Sequence, residues 1–563
     1  MDYRDFLEAS TGRQKADLVL KNARILDVYN AEFFNGDLAI HKGRIIGIGD
    51  YEGLEELDRE GRHGVPGFID GHLHIESSMV TPPQYARGIL PHGVTTIVAD
   101  PHEMANVLGP AGVTWMMDAS KDLPLNIHFM IPSCVPCSPN EHGGSDLSAA
   151  DMAALKNRPE VLGMGEMMDF PNLLAGDSAI AEKLRLFQDM PKDGHGPGLS
   201  GRDLNAYAAA GITTDHECTT VEEMQEKIRL GMYVQIREGT AAKNAAVLLP
   251  GVNDSNWRRC FFCSDDQDPF DLITKGTVKE VIKMALELGM DPARAYTMGS
   301  FNAASAYDLK DRGALSPGMA ADLVILEDVE TVDLKSVYVR GRLIHEKGGE
   351  VAIPVRELPA FNHSVTIADL DESALELSGS TYHAMVMQPG SLYTPMETGS
   401  ITSENFPYSQ GMNKLVNVER HKGLQLTGVC ALKGLGVRNG AIATTIAHDS
   451  HNLLAVGDND EDILLAIRHT AEIGGGYVMV SEGRVIQELR LPIAGLLSPE
   501  PIEDVAATLE NMLAAAHQEL GIPEDVDPFL SLSFMALPVI PEVKLTVEGL
   551  FSVSSQKLLP AAE

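Results

Sequence analysis

Cysteine is scarce in this chain: six residues in 563, too few to make a disulfide framework at this length. Four of them form Cys134-x-x-Cys137 and Cys260-x-x-Cys263, but the pairs lie much farther apart than those of a zinc ribbon. Cys260-Phe261-Phe262-Cys263 reads as a strand, where positions i and i+3 point to opposite faces, so buried thiols are expected instead. Long apolar runs are missing too, and none is long enough to span a bilayer. The start, Met1-Asp2-Tyr3-Arg4-Asp5, has no basic-then-apolar signal pattern, so a cytoplasmic protein without a membrane partner is expected. Positive charge is in deficit: 44 Lys and Arg face 80 Asp and Glu, a formal charge of −36. That balance opposes nucleic acid as a partner and reads as an acidic, solubilising surface. Gly474-Gly475-Gly476 is not followed by the Lys-Ser/Thr of a phosphate loop, and it reads as a loop or bulge.

A chain of this length exceeds one hydrophobic core and predicts two or three domains. Residues 16–62 read as short strands with turns at Asn30, Asn35-Gly36 and Lys42-Gly43. The same texture returns at Ala321-Asp322-Leu323-Val324-Ile325-Leu326 and around Val337-Tyr338-Val339. Both flanks should therefore close one small β-sandwich around an inserted middle. That middle alternates β-branched runs, such as Val94-Thr95-Thr96-Ile97-Val98-Ala99, with helical stretches, one of them after His102. Thr219-x-x-Glu222 reads as a capping box for a helix carrying Val221, Met224 and Ile228 and stopped at Gly231. The expected fold class is α/β: a (β/α)8 TIM-like barrel over 66–312, a β-sandwich from 1–65 and 313–355, and a C-terminal α+β domain over 356–563. The last region should hold an amphipathic helix begun by Ser498-Pro499 and carrying Ile502, Val505, Leu509, Met512, Leu513 and Ala516.

The richest feature is Val65-Pro66-Gly67-Phe68-Ile69-Asp70-Gly71-His72-Leu73-His74. Alternate residues of a strand project to one side, so the two imidazoles can converge on one point, with Asp70 able to orient one of them from behind. Further ligand-type residues end the later strands: Asp100-Pro101-His102-Glu103, Gly165-Glu166, Asp193-Gly194-His195, Asp215-His216-Glu217 and Ser264-Asp265-Asp266. In (β/α)8 barrels the carboxyl ends of strands build the active site. Four imidazoles with one or two carboxylates is the wrong set for a closed structural zinc. It suits one catalytic metal with extra acid/base groups, or two metals bridged by a carboxylate.

This pattern resembles the amidohydrolase superfamily, and Gly313-Ala314-Leu315-Ser316-Pro317-Gly318-Met319-Ala320-Ala321-Asp322 is similar to that family's return to its sandwich. Within it, Ile75-Glu76-Ser77-Ser78-Met79, Asp100-Pro101-His102-Glu103, Asp215-His216-Glu217-Cys218-Thr219-Thr220, Arg237-Glu238-Gly239-Thr240 and Ala447-His448-Asp449-Ser450-His451-Asn452 resemble the adenine deaminase family. The resemblance implies two divalent metal ions (Mn, Fe or Zn). One would be held by His72, His74 and Asp265 and the other by His195 and His216. Glu166 would lie between them, where many relatives use a carbamylated lysine. It further implies adenine as substrate, with hydroxide attacking C6 to give hypoxanthine and ammonia. Asp265 is then the candidate to carry the proton from hydroxide to the leaving amine. A second acid near the ring nitrogen is expected from Glu217 or Glu103, unranked, and Asp100, His102 and Asp266 are expected to shape the purine pocket. Asp100 and His102 read equally well as a turn and a helix cap, and His448-Asp449-Ser450-His451 reads as fold or lid structure. A homo-oligomer, a dimer, is expected. The alternatives are a cyclic-amide hydrolase of the same superfamily, which usually keeps the bridging lysine, and a metal-free scaffold paralogue, which would have broken ligand sets.

Overall fold

The computed structural model describes residues 3–138, 140–354, 361, 364–403 and 405–563. The expected boundary between residues 355 and 356 lies outside them. Eight short strands carry the site: β1 Phe68–Leu73, β2 Val94–Ala99, β3 Asn126–Ile131, β4 Val161–Met167, β5 Lys192–Gly194, β6 Thr214–Asp215, β7 Tyr233–Arg237 and β8 Cys260–Cys263. The first five form one parallel sheet in chain order, and the last three form another. At one seam, Leu73 forms a parallel bridge with Asp265, just past β8. At the other, the Thr213 amide donates to the Lys192 carbonyl at 2.9 Å. Helices separate consecutive strands, among them Pro82–Ile89, His102–Leu108, Gly201–Ala209 and Val221–Arg229.

Every residue of β1, β2 and β8 is buried, which explains their continuous apolar runs: parallel strands are covered on both faces. Gly71 is required by this packing, because a Cβ there would overlap the Phe261 ring. The six cysteines are unpaired and buried. Among the described residues no helix is long and apolar enough to cross a membrane.

The two flanks meet in one eight-stranded sheet, in which Leu323–Asp328 pairs antiparallel with His63–Pro66. Leu20, Ile25, Leu38, Ile40, Leu323 and Ile325 share one buried cluster there. A second eight-stranded sheet, from Thr381–Val386 through Arg484–Arg490, lies in the C-terminal third with the helix Asp460–Glu472 packed on it. This third is packed on the strand–helix middle: Val80 bridges Ser498 in parallel, and Ile502 and Leu272 belong to one core.

Two local expectations shift. The amphipathic helix runs Ile502–Gln518, three residues after Pro499, because Pro501 keeps Glu500 out of the helical region. It buries Ile502, Val505, Met512 and Ala516 as expected, whereas Leu509 and Leu513 are only partly buried. The capping threonine of Val221–Arg229 is Thr220, which accepts from the Glu223 amide, one residue later than the predicted box. Thr219 instead donates its amide to the Glu223 carboxylate at 2.9 Å.

Candidate active site

His72 and His74 stand at the end of β1, both buried. The His72 Nδ1 lies 2.9 Å from Asp193 Oδ2, and the His74 Nδ1 donates to the Asp100 carbonyl at 2.8 Å. Both rings therefore keep their protons on Nδ1 and turn Nε2 inward. The His74 Nε2 is 3.0 Å from Asp265 Oδ1 and 3.4 Å from Glu166 Oε1; the corresponding His72 distances are 3.6 and 3.8 Å. Asp70 does not reach an imidazole. Its carboxylate accepts from the Ser264 amide and hydroxyl at 3.0 and 2.7 Å, tying β1 to the end of β8, and burial pushes its pKa up to about 6.

Glu166 faces two ways. Its Oε1 points at His72, His74 and His102, and its Oε2 lies 2.7 Å from His195 Nδ1 and 3.4 Å from His216 Nε2. The Glu166 amide donates to Asp100 Oδ2 at 2.9 Å. Gly165 makes room for that contact, since a Cβ would overlap the Asp100 carboxylate. Burial alone would raise the Glu166 pKa, but His195 and His216 overcome it and hold the carboxyl well below its ordinary range. At Asp265 burial is likewise outweighed, by the Arg237 guanidinium and by His72 and His74. Arg237, at the end of β7, lies 2.7 Å from Asp265 Oδ2 and also hydrogen-bonds Glu217. Burial opposes ionisation of Glu217 as well, yet Arg237 and His195 hold it far below the carboxylate range.

The donor set fits divalent metal. Two groups, His72-His74-Glu166 and Glu166-His195-His216, each bring one ligand atom per residue within 4.8 Å of one another. The buried His72 Nε2 has no hydrogen-bond partner, although it faces two carboxylates. Lone pairs directed at carboxylate oxygens in a buried site repel unless a cation lies between them. The cluster opens on a cavity of about 240 Å³ lined by His74, His102, Glu166, His195, His216, Glu217, Arg237, Asp265 and Asp266. The C-terminal third supplies its opposing residues: Leu392, His448, Asp449, Phe534, Leu537, Val539 and Ile540.

Two family profiles match, the amidohydrolase family over residues 65–344 and the adenine deaminase C-terminal domain over 388–557. An adenine deaminase from Nitratidesulfovibrio vulgaris is 47% identical over 557 residues, covering 98% of this chain and 97% of its own. One from Bacillus pumilus is 45% identical over 570 residues, covering 99% of both chains. This chain belongs to the adenine deaminase family. Among solved structures, an adenosine deaminase from Xanthomonas campestris with bound zinc is 12% identical with a TM-score of 0.45, covering 61% of this chain and 95% of its own.

In this family member, all six residues expected as ligands (His72, His74, Glu166, His195, His216 and Asp265) come together. Glu217, His102 and Asp266 line the cavity with them. Asp100 lies behind the cavity, with its carboxylate on the Glu166 amide and its carbonyl on His74. Glu103 is buried away from the cavity wall, between His448 and His451. His102 is the first residue of its helix, and Pro101 is the cap. Sequence reasoning missed Arg237 and Asp193. Each sits at a strand end in a segment already singled out, and position at a strand end was the available signal. It also missed the wall from Phe534 to Ile540, which has no sequence signature.

Proposed function

We propose that this chain deaminates adenine to hypoxanthine and ammonia at a site for two divalent metal ions. His72, His74 and Asp265 would hold one ion, His195 and His216 the other, with Glu166 between them. The observation that carries this reading is the two-faced Glu166 carboxylate, one oxygen toward the β1 histidines and the other toward His195 and His216. The full-length adenine deaminase relatives support the substrate. We also read the eight strands as one closed (β/α)8 barrel, supported by the Leu73–Asp265 bridge and the Thr213–Lys192 hydrogen bond at its seams.

Metal bound there supplies a nucleophilic water at neutral pH and a positive charge against which the reaction's negative charge develops. The chain's own groups manage the protons. Attack at C6 breaks ring aromaticity, so the neighbouring ring nitrogen must gain a proton as the tetrahedral carbon forms. Glu217 lines the cavity and is ionised at rest, so it takes the first water proton and delivers it to that nitrogen. Glu103, off the cavity wall, is not placed for this step. Asp265, also ionised at rest, takes the second proton, from the new hydroxyl, and gives it to the amine. Ammonia leaves and the carbonyl of hypoxanthine forms. Arg237 hydrogen-bonds both carboxylates and keeps them ionised until a proton is transferred to them.

The test is adenine loss and ammonia release by apo-protein reconstituted with increasing Mn²⁺. Activity saturating near two metals per chain supports both substrate and site. Bound metal with no ammonia at any loading turns the search to cyclic amides.

A further inference from the structure

We propose that His448 recognises the unsubstituted base: its Nε2 accepts a hydrogen bond from the N–H of the purine's five-membered ring. It thereby favours the free base over purines substituted at that nitrogen. The inference rests on the adenine reading above and extends it to a residue of the C-terminal third.

The His448 ring lines the cavity and is fixed on three sides. It stacks on Phe534 at 4.6 Å between centroids and 24° between planes. Its backbone amide donates to the Ser533 carbonyl at 2.9 Å. Its Nδ1 lies 3.3 Å from Glu103 Oε1. What Glu103 does to the ring follows from its other neighbours. The Ser77 hydroxyl donates to Asp266 Oδ1 at 2.5 Å and lies 3.2 Å from Glu103 Oε1, and His451 Nε2 lies 3.4 Å from Oε2. The His451 Nδ1 accepts the Ala447 amide at 3.2 Å, so the proton of its neutral ring sits on Nε2 and faces Glu103. Burial keeps His451 neutral. Glu103 is therefore the carboxylate that both His448 Nδ1 and His451 Nε2 face, and the group we assign His448 to offer it is Nδ1–H. The remaining polar atom of His448, Nε2, then carries a lone pair, and no described residue hydrogen-bonds it.

Glu103, His448 and His451 are also close enough to surround a cation, but the proton positions oppose that. A metal-held imidazole donates through its second nitrogen, as His72 does to Asp193 and His74 to the Asp100 carbonyl. His451 accepts there instead. The trio is thus a buried contact of two rings with one carboxylate, and the Glu103 carboxylate beside Nδ1 is what sets the tautomer of His448. The adenine base bears one ring N–H, on its five-membered ring, while nucleosides and 9-alkyl purines carry none. With the amine turned to the strand-end carboxylates, that N–H is available to the wall built by the C-terminal third.

The experiment compares adenine with 9-methyladenine as substrates of the metal-reconstituted full chain. Wild type is expected to prefer adenine in kcat/KM by about 100-fold or more. His448→Leu fills the space beside Phe534 without an acceptor. It should raise KM for adenine about 10–100-fold, leave that for 9-methyladenine within about threefold, and leave metal per chain unchanged. His448→Gln, which keeps an acceptor, should retain part of the preference. An unchanged preference in His448→Leu overturns the assignment, as does loss of a metal equivalent. Should His448→Leu fail to fold, His448→Gln and Glu103→Gln carry the test: each should raise KM for adenine selectively, and no selective rise in either overturns it. Wild type that turns over neither purine removes the adenine reading itself. Wild type that discriminates while His448→Leu discriminates equally removes only the role of His448.

Discussion

Asp193 accepts from His72 Nδ1 at 2.9 Å, and that one hydrogen bond decides which nitrogen of His72 faces the carboxylates. Its acceptor lies on a different strand, more than a hundred residues along the chain. Both groups are fully buried, so no water competes for either. Asp193 also takes the Gln235 side-chain amide at 2.9 Å and the Tyr307 hydroxyl at 3.1 Å. Burial would raise the Asp193 carboxyl, but the nearby His72, with His216 and the Thr214 hydroxyl, outweighs it and holds the carboxyl below its ordinary value.

Removing that orienting partner should weaken metal binding without removing a ligand. Asp193→Ala is expected to lower metal affinity about 10–100-fold. Competition against a chelator reads this directly, and wild-type affinity in the variant would detach Asp193 from the site.

Glu166→Ala removes the two-faced carboxylate. The variant should hold fewer than two metals per chain by elemental analysis after reconstitution. Two ions retained at full occupancy would end the proposed bridging role.

Asp265→Asn keeps the side chain's shape and removes its basicity. Turnover should drop by about 10²–10⁴-fold, with far-UV circular dichroism near that of wild type. Near-normal turnover would eliminate Asp265 as the proton carrier.

Histidines away from the metal cluster make the fold acid-sensitive. Burial pushes His128 down to about 4, His92 to about 4 and His421 to about 3. Neither ring nitrogen of His128 has a partner. Each folded pKa lies below the unfolded value of 6.5, so on acidification the unfolded chain takes up protons that the native sites refuse. Stability from this source is complete above about 6.5 and is lost as pH falls toward 4. His128→Phe should therefore reduce the wild-type loss between pH 7 and pH 5 by about 1–2 kcal/mol. Urea midpoints of metal-saturated protein at the two pH values measure it, and an identical slope in both proteins would refute it.

Much of the site was legible along the chain because strand geometry is local. The period of two in Phe68–His74 aims His72 and His74 together whatever surrounds them. Strand-like apolar or β-branched runs followed by Asp, His or Glu mark where β2, β4, β6 and β8 end, whereas β5, Lys192–Gly194, has no such run. The βα rhythm and the two β-rich flanks were readable for the same reason. Local signals failed where two candidates competed within a residue or two, as at Thr219 and Thr220 or at Pro499 and Pro501. There the choice depends on where the chain enters the packed layer.

The order of residues alone sets which side chains can ligate or carry protons, and that they stand at strand ends, because backbone alternation and residue chemistry need no distant partner. Tertiary packing alone settles which nitrogen of each imidazole turns inward, that Arg237 reaches both Glu217 and Asp265, and that Glu103 faces His448 instead of the cavity. It also brings Phe534 and its neighbours across several hundred residues to face the strand ends. Those relations are distances between segments far apart in the chain, and they exist only once buried strands and the C-terminal third have closed on one another.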